Sequence, residues 1–174
     1  ASYRNENNEV VYLDAVGSYT PYGYPTGFIQ GKQALIRKEG DKYEVERVPI
    51  MSKEKNLKHE KMKMILEGTK LVGKGSISTV GYSKLDFVYP LISKNSEDRR
   101  ISLEGMLEKG SNKFKIQKAT FNGLANRDTL LKISYDFTIE DYVKSAGDEF
   151  YVNLNFDKNF KDSKLDLEKR KGVS

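Results

Sequence analysis

Apolar and polar side chains alternate with a period of two over much of this chain. In 131–139, Leu131, Ile133, Tyr135, Phe137 and Ile139 fall on one side, and Lys132, Ser134, Asp136 and Thr138 on the other. In 150–156, Phe150, Val152, Leu154 and Phe156 alternate with Tyr151, Asn153 and Asn155. Successive strand residues point to opposite faces, so each run predicts a strand with one buried face. The polar segment between them, 140–149, carries Gly147 and predicts a long hairpin connection or a crossover between sheets. Met62, Met64 and Leu66 alternate with Lys61, Lys63 and Ile65, the segment 67–70 (EGTK) makes a turn, and 71–80 runs back as a hairpin partner. Gly73 and Gly75 weaken that second strand and mark a bulge or a close approach. Segment 113–121 predicts another strand, and 33–48 a hairpin split at Gly40-Asp41.

Two segments break the alternation. In 82–92, Tyr82, Leu85, Val88 and Tyr89 have helical spacing, with Ser83 as N-cap and Pro90 ending or kinking the helix. In 95–110, Ser96 is the expected N-cap, Glu97 and Asp98 occupy the first turn, and Gly110 lies past the end. Ile101, Leu103, Met106 and Leu107 form the apolar side of this second helix. Strands on both sides of one or two short helices predict a mainly β, or α+β, antiparallel sandwich-like domain with a helical insert. The character of the chain changes near Pro49–Asn56. This places a boundary between residues 1–50, with a strand, a Tyr/Gly/Pro loop and one hairpin, and a β-rich unit over 51–174.

Composition narrows the chemistry. At 174 residues the chain can bury a core without covalent staples, and it contains no Cys. Disulfides, thiolate metal sites and a cysteine nucleophile within this chain are thereby excluded. No apolar run approaches the roughly 18 residues of a membrane helix, so no membrane span is expected. The 30 basic and 25 acidic side chains interleave, giving a net charge of +5. Most lysines alternate with apolar residues, as on the wet side of a strand, so nucleic acid is not an expected partner.

Catalytic candidates are few. A nucleophile needs a base within hydrogen-bond reach. The single histidine, His59, falls on the lysine-bearing side opposite Met62 and Met64, as a solvated strand residue would. One His without Cys or a carboxylate cluster makes no metal site, so neither metal nor cofactor is expected. The stretch 12–32 (YLDAVGSYTPYGYPTGFIQGK) is the exception. A short apolar run ends at Asp14 and opens into a loop with four Gly, two Pro and three Tyr. Asp14 either caps a turn or belongs to a catalytic site. Tyr19, Tyr22 and Tyr24 either pack their loop onto the domain or offer rings for stacking on a sugar or peptide.

The stretch 10–36 resembles the segment that closes the catalytic core of bacterial transglutaminase-like proteins. The shared pattern is a strand ending in Asp14, then Pro21-Tyr22-Gly23, then Gln30-Gly31-Lys32 with an apolar tail. Segment 66–86 resembles the hairpin after that core, followed by a glycine that opens a helix. Segment 141–153 resembles a later Gly-Asp-containing strand, and 167–174 a charged closing motif with Gly172 where Pro is usual. Ala15-Val16 stand where the family commonly has Pro-Thr. The resemblance implies that Asp14 is the Asp of a Cys–His–Asp triad whose Cys and His lie in an upstream core of the same polypeptide. It implies a non-catalytic accessory domain, no enzyme by itself, in a protein exported to the periplasm or cell surface. The parent would be a thiol hydrolase or acyltransferase, or a degenerate relative. The competing expectation is a free-standing β-sandwich that binds a glycan or peptide through Tyr19, Tyr22 and Tyr24. A purely structural interaction domain is the third.

Overall fold

The computed structural model describes residues 2–7, 9–13, 17–38 and 40–157. The strands are β1 (Ser2–Arg4), β2 (Val10–Tyr12), β3 (Gln33–Arg37), β4 (Tyr43–Arg47), β5 (Lys58–Glu67), β6 (Lys70–Thr79), β7 (Phe114–Asn122), β8 (Leu131–Ile139), β9 (Lys144–Ala146) and β10 (Glu149–Tyr151). Helices α1 (Tyr82–Leu91) and α2 (Ser96–Leu107) sit between β6 and β7. The chain is thus strand-rich and α+β, with antiparallel pairing throughout. Strands β5–β6–β8–β7 form one four-stranded sheet, while β1–β2, β3–β4 and β9–β10 form two-stranded sheets.

The period-two pattern sets the sheet. Leu131, Ile133, Tyr135, Phe137 and Ile139 are all buried, and both helices pack over that face through Phe87, Val88, Leu91, Leu103 and Leu107. Met62 and Met64 join the same cluster from β5. The turn between β5 and β6 has Gly68 at φ 63°, the left-handed value that Gly adopts at no steric cost. Gly73 and Gly75 do not make a bulge. They lie opposite Phe137 and Tyr135, and a Cβ on Gly75 would sit 2.0 Å from the Tyr135 ring. The close approach is that of aromatic rings lying across β6. The bulge falls in β7, where Gln117 is the extra residue between Ile116 and Lys118.

Both helix starts differ from expectation. Gly81 occupies the N-cap of α1 at φ 66°, and the side chain that caps is distant in sequence: Asn56 Oδ1 accepts from Ser83 N (2.9 Å) and Ser83 Oγ (3.0 Å). Asn95, one residue before Ser96, caps α2 by accepting from Asp98 N at 2.9 Å. The buried side of α1 is Lys84, Phe87, Val88 and Leu91, because the helix meets the sheet one residue round from the predicted stripe. Leu103 and Leu107 alone bury α2; Ile101 and Met106 face solvent. Arg99 donates to the Leu91 and Ile92 carbonyls, both at 2.9 Å, and satisfies the C-terminal end of α1. Arg100 and Glu104 bond the carbonyl and amide of Ile116, which covers the edge of β7.

The strand expected over 150–156 is corrected. Only Glu149–Tyr151 pair, with β9 across a turn at Gly147. Phe150 is exposed, and Leu154 is 80% exposed. The reason is pairing: β9–β10 stands apart from the main sheet, so Phe150 and Leu154 have no core to face, while Val152 and Phe156 pack against the main core without a strand. Beyond Tyr151 the chain turns back, Phe156 stacks on Tyr142 at 5.3 Å, and the Phe156 carbonyl accepts from Gly110 N.

A second, smaller cluster joins Tyr12, Ile36 and Val48. It uses one side of β3–β4. On the other side Leu35 pairs directly with Val45, and both are exposed, at 67% and 62%.

Candidate functional site

The loop over 17–32 is held by the far end of the main domain. Tyr19 meets Tyr89 edge-to-face at 5.7 Å, and Tyr24 meets Tyr82 in the same way at 5.7 Å. Tyr24 Oη donates to the Lys55 carbonyl at 3.2 Å. Tyr82 Oη donates to the Pro25 carbonyl and accepts from Gln30 Nε2. Gln30 Oε1 in turn accepts from Met51 N at 2.8 Å. Gly17 packs so close that a Cβ there would lie 2.8 Å from Tyr89 Oη. Burial, followed by the charge of Asp128, raises the Tyr24 hydroxyl above its ordinary pKa. Tyr19 and Tyr24 thus anchor the loop on α1. Tyr22 does not: its ring is 58% exposed.

Tyr22 is placed by its backbone, whose amide donates to Asp128 Oδ1 at 3.0 Å. The 126–129 loop that presents Asp128 is fixed from inside by Lys84. That side chain is 2% exposed, and its Nζ donates to the carbonyls of Thr129 (2.7 Å) and Asn126. Burial lowers the Lys84 pKa, opposed by the attraction of Asp128. A groove of about 600 Å³ runs between the two loops, lined by Tyr22, Tyr24, Lys55, Arg127 and Asp128 among others. An aromatic face, a guanidinium and a carboxylate at one mouth can hold an amphipathic ligand such as a sugar or peptide.

Asp14 and its neighbours Ala15 and Val16 lie outside the described residues, as does the 167–174 motif. The structure places the strand leading to Asp14: β2 ends at Tyr12, buried against Ile36 and Val48. His59 sits exposed on the outer side of β5, opposite Ser78. Among the described residues no group of three or more His, Asp or Glu could hold a metal ion, and no helix is long and apolar enough to cross a membrane.

A largely buried polar network gathers around Lys109, just past the end of α2. Lys109 Nζ meets Glu60 Oε2 at 3.3 Å and Asp157 Oδ2 at 3.1 Å. Tyr135 Oη donates to Glu60 Oε1 at 3.2 Å. Burial, then the charge of Glu60, pushes the Tyr135 hydroxyl far above the ordinary tyrosine value.

Arg127, Asp128 and Lys84 were not legible as site residues in the sequence. Lys84 left a signal: with Phe87, Val88 and Leu91 it completes an i, i+3, i+4, i+7 stripe once a lysine is admitted to the apolar side. The 126–129 loop left none beyond its turn-forming polar residues.

No protein-family model matches the chain, and no curated protein or solved structure matches it either.

Proposed function

We propose that this chain is the C-terminal part of a transglutaminase-like protein. Residues 1–50 complete a catalytic core, and 51–174 form a β-rich accessory domain that is not catalytic by itself. Asp14 then orients a histidine contributed by an upstream core of the same polypeptide, with a cysteine nucleophile there. The protein acts in the periplasm or at the cell surface.

The observation that favours this reading is the β3–β4 hairpin. It carries apolar residues on both sides among charged ones, yet those of one side are uncovered: Leu35, Val45 and Tyr43 are all more than half exposed. An isolated two-stranded hairpin is marginal in water, and strands built to be covered on both sides belong between layers. A core supplied by another part of the polypeptide would cover Leu35 and Val45. The test is the encoding gene and its product. The sequence upstream of Ala1 should hold a core of roughly 150 residues or more, with a Cys and a later His. In that full-length protein Asp14→Asn should cut thiol-dependent turnover by orders of magnitude, as loss of the orienting carboxylate does in the serine triad. Unchanged turnover would reduce Asp14 to a turn residue.

One observation favours a second reading, a binding module for a glycan or peptide. Tyr22 stands exposed at the mouth of the groove beside Arg127, while Tyr19 and Tyr24 serve to hold it there. Chemical-shift changes confined to Tyr22 and 126–129 on titration with oligosaccharides or peptides would support it; none would remove it.

A further inference from the structure

The middle of the outer side of the four-stranded sheet carries mostly positive charge. In one row across the strands, Lys63 pairs with Lys74, Lys74 with Asp136, and Asp136 with Lys118. The next row reads Lys61, Ser76, Ser134, Thr120. The four lysines are exposed and line a shallow trough of about 460 Å³ in which Asp136 is the one carboxylate. Lys74 reaches Asp136 at 3.9 Å. Among the described residues the side chains of Lys61, Lys63 and Lys118 have no ion-pair or hydrogen-bond partner.

Two half-buried cations elsewhere are flanked by carboxylates. Arg100 lies between Glu97 and Glu104, and Lys38 between Glu44 and Glu46. Like charges directly opposite each other destabilise a ladder, yet Lys63 opposes Lys74. Of the two β5 carboxylates, Glu60 points to the other side, toward Lys109 and Tyr135, and Glu67 lies at the end of the strand, opposite Lys70. Beside this unrelieved charge runs a row of hydroxyls.

We propose that this trough binds a linear anionic polysaccharide. Its acidic groups would lie over Lys63, Lys74 and Lys118, and its hydroxyls against Ser76, Ser134 and Thr120. At about 4.8 Å between strands the two rows are roughly 14 Å long, and a trough of that shape fits a chain rather than a flat bilayer. The cations are all lysines, point charges that tolerate varied anion geometry; the arginine fork that matches phosphate is missing from both rows. Neither row presents an exposed aromatic ring for stacking on bases, which disfavours single-stranded nucleic acid. The proposal does not rest on the transglutaminase-like reading.

The experiment titrates the chain with polygalacturonate, whose charges are carboxylates, and with heparin, whose charges are mainly sulfates, against neutral dextran and single- and double-stranded DNA. At about 50 mM salt, where screening is modest, at least one glycan should bind and dextran should not. The exposed Lys63→Gln, Lys74→Gln, Lys118→Gln triple variant should keep its fold by circular dichroism and bind about tenfold more weakly or worse, a loss of 1.4 kcal/mol or more. The corresponding Lys→Arg triple variant should retain binding, and Lys144→Gln, at an exposed lysine of β9 away from the trough, should bind as wild type. Carboxylate and sulfate sources are told apart by which glycan binds more tightly. The proposal fails if neither glycan binds, if the Gln variant binds as wild type, or if DNA binds more tightly than both glycans at equal salt.

Discussion

The two ends of this molecule use the same alternating code to opposite effect. In the four-stranded sheet the apolar side of each strand meets two helices, and the aromatic rings of β8 lie across glycines of β6. In β3–β4 apolar residues fall on both sides, and those of one side, Leu35, Tyr43 and Val45, have nothing over them. The difference is one of neighbours rather than of strand quality. Four strands under two helices make a self-sufficient unit; two strands do not. The first region should hold its shape by its own packing, and the second should depend on whatever completes it.

The strongest test of that contrast is Phe137→Ala. Phe137 is fully buried against Phe114 and Tyr135, so truncation should cost about 3–5 kcal/mol in chemical denaturation. Ile133→Ala should cost about 2–5 kcal/mol on the same scale. Leu154→Ala, at a position with the same alternating signature but no core beneath it, should stay within about 0.5 kcal/mol. Similar losses at Phe137 and Leu154 would mean that the two kinds of alternation are energetically alike.

Next comes Gly75→Ala. The added methyl has nowhere to go unless the Tyr135 ring moves, so the cost should be about 1–3 kcal/mol. Gly40→Ala, in the β3–β4 turn, meets no neighbouring atom but sits at φ 64°. It should lose only the local backbone term, about 1 kcal/mol. If Gly75→Ala proves neutral, the close approach of Tyr135 is not what fixes glycine at this position.

Much of the main sheet was legible because its burial follows the period of the sequence. The β5–β6 hairpin, β7, β8 and the β3–β4 hairpin all stand where alternation predicts them. What failed to show was whatever depends on distant partners. Ser83 and Ser96 are good capping residues, yet Asn56 and Asn95 do the capping. Lys84 occupies an apolar stripe because two carbonyls of the 126–129 loop await its ammonium group, and neither is near it in sequence. Leu154 misled because alternation reports that a residue could face a core, not that a core is present. At the candidate site the Tyr/Gly/Pro loop was visible from composition. The division of labour within it, with Tyr19 and Tyr24 as anchors and Tyr22 outward, follows from α1 and could not be read locally.

A pH experiment sharpens the contrast further. Tyr135 holds its proton in the folded state to a higher pH than an unfolded tyrosine, whose ordinary pKa is 10.0. The sign follows: above pH 10 the unfolded chain releases a proton that the folded one keeps, so stability is full below pH 10 and falls as pH rises beyond it. Tyr135→Phe should cost about 0.5–1.5 kcal/mol at pH 7 for its hydrogen bond to Glu60, and should shrink the loss between pH 9 and pH 11. An alkaline limb equally steep in wild type and variant would assign that loss to other tyrosines.

The smallest expected effect in this chain is also the one that reaches furthest. Leu35 and Val45 face each other across β3–β4 with their outer side open. Leu35→Ser removes apolar surface already in contact with water, so in the chain as it stands the change should be within about 0.5 kcal/mol. If an upstream core covers this side in the full-length polypeptide, the same leucine becomes a buried residue there. Replacing it should then cost roughly 1.5–3 kcal/mol, the scale of burying a Leu side chain. Comparing Leu35→Ser in both contexts by chemical denaturation therefore measures whether the hairpin is completed from outside. A matched effect below about 0.5 kcal/mol in both would leave β3–β4 as an exposed ribbon and withdraw the main structural support for the proposed core. A large effect in the short chain would instead mean that Leu35 is already covered in solution, most simply by a second copy. A concentration-dependent sedimentation profile would then show that copy directly.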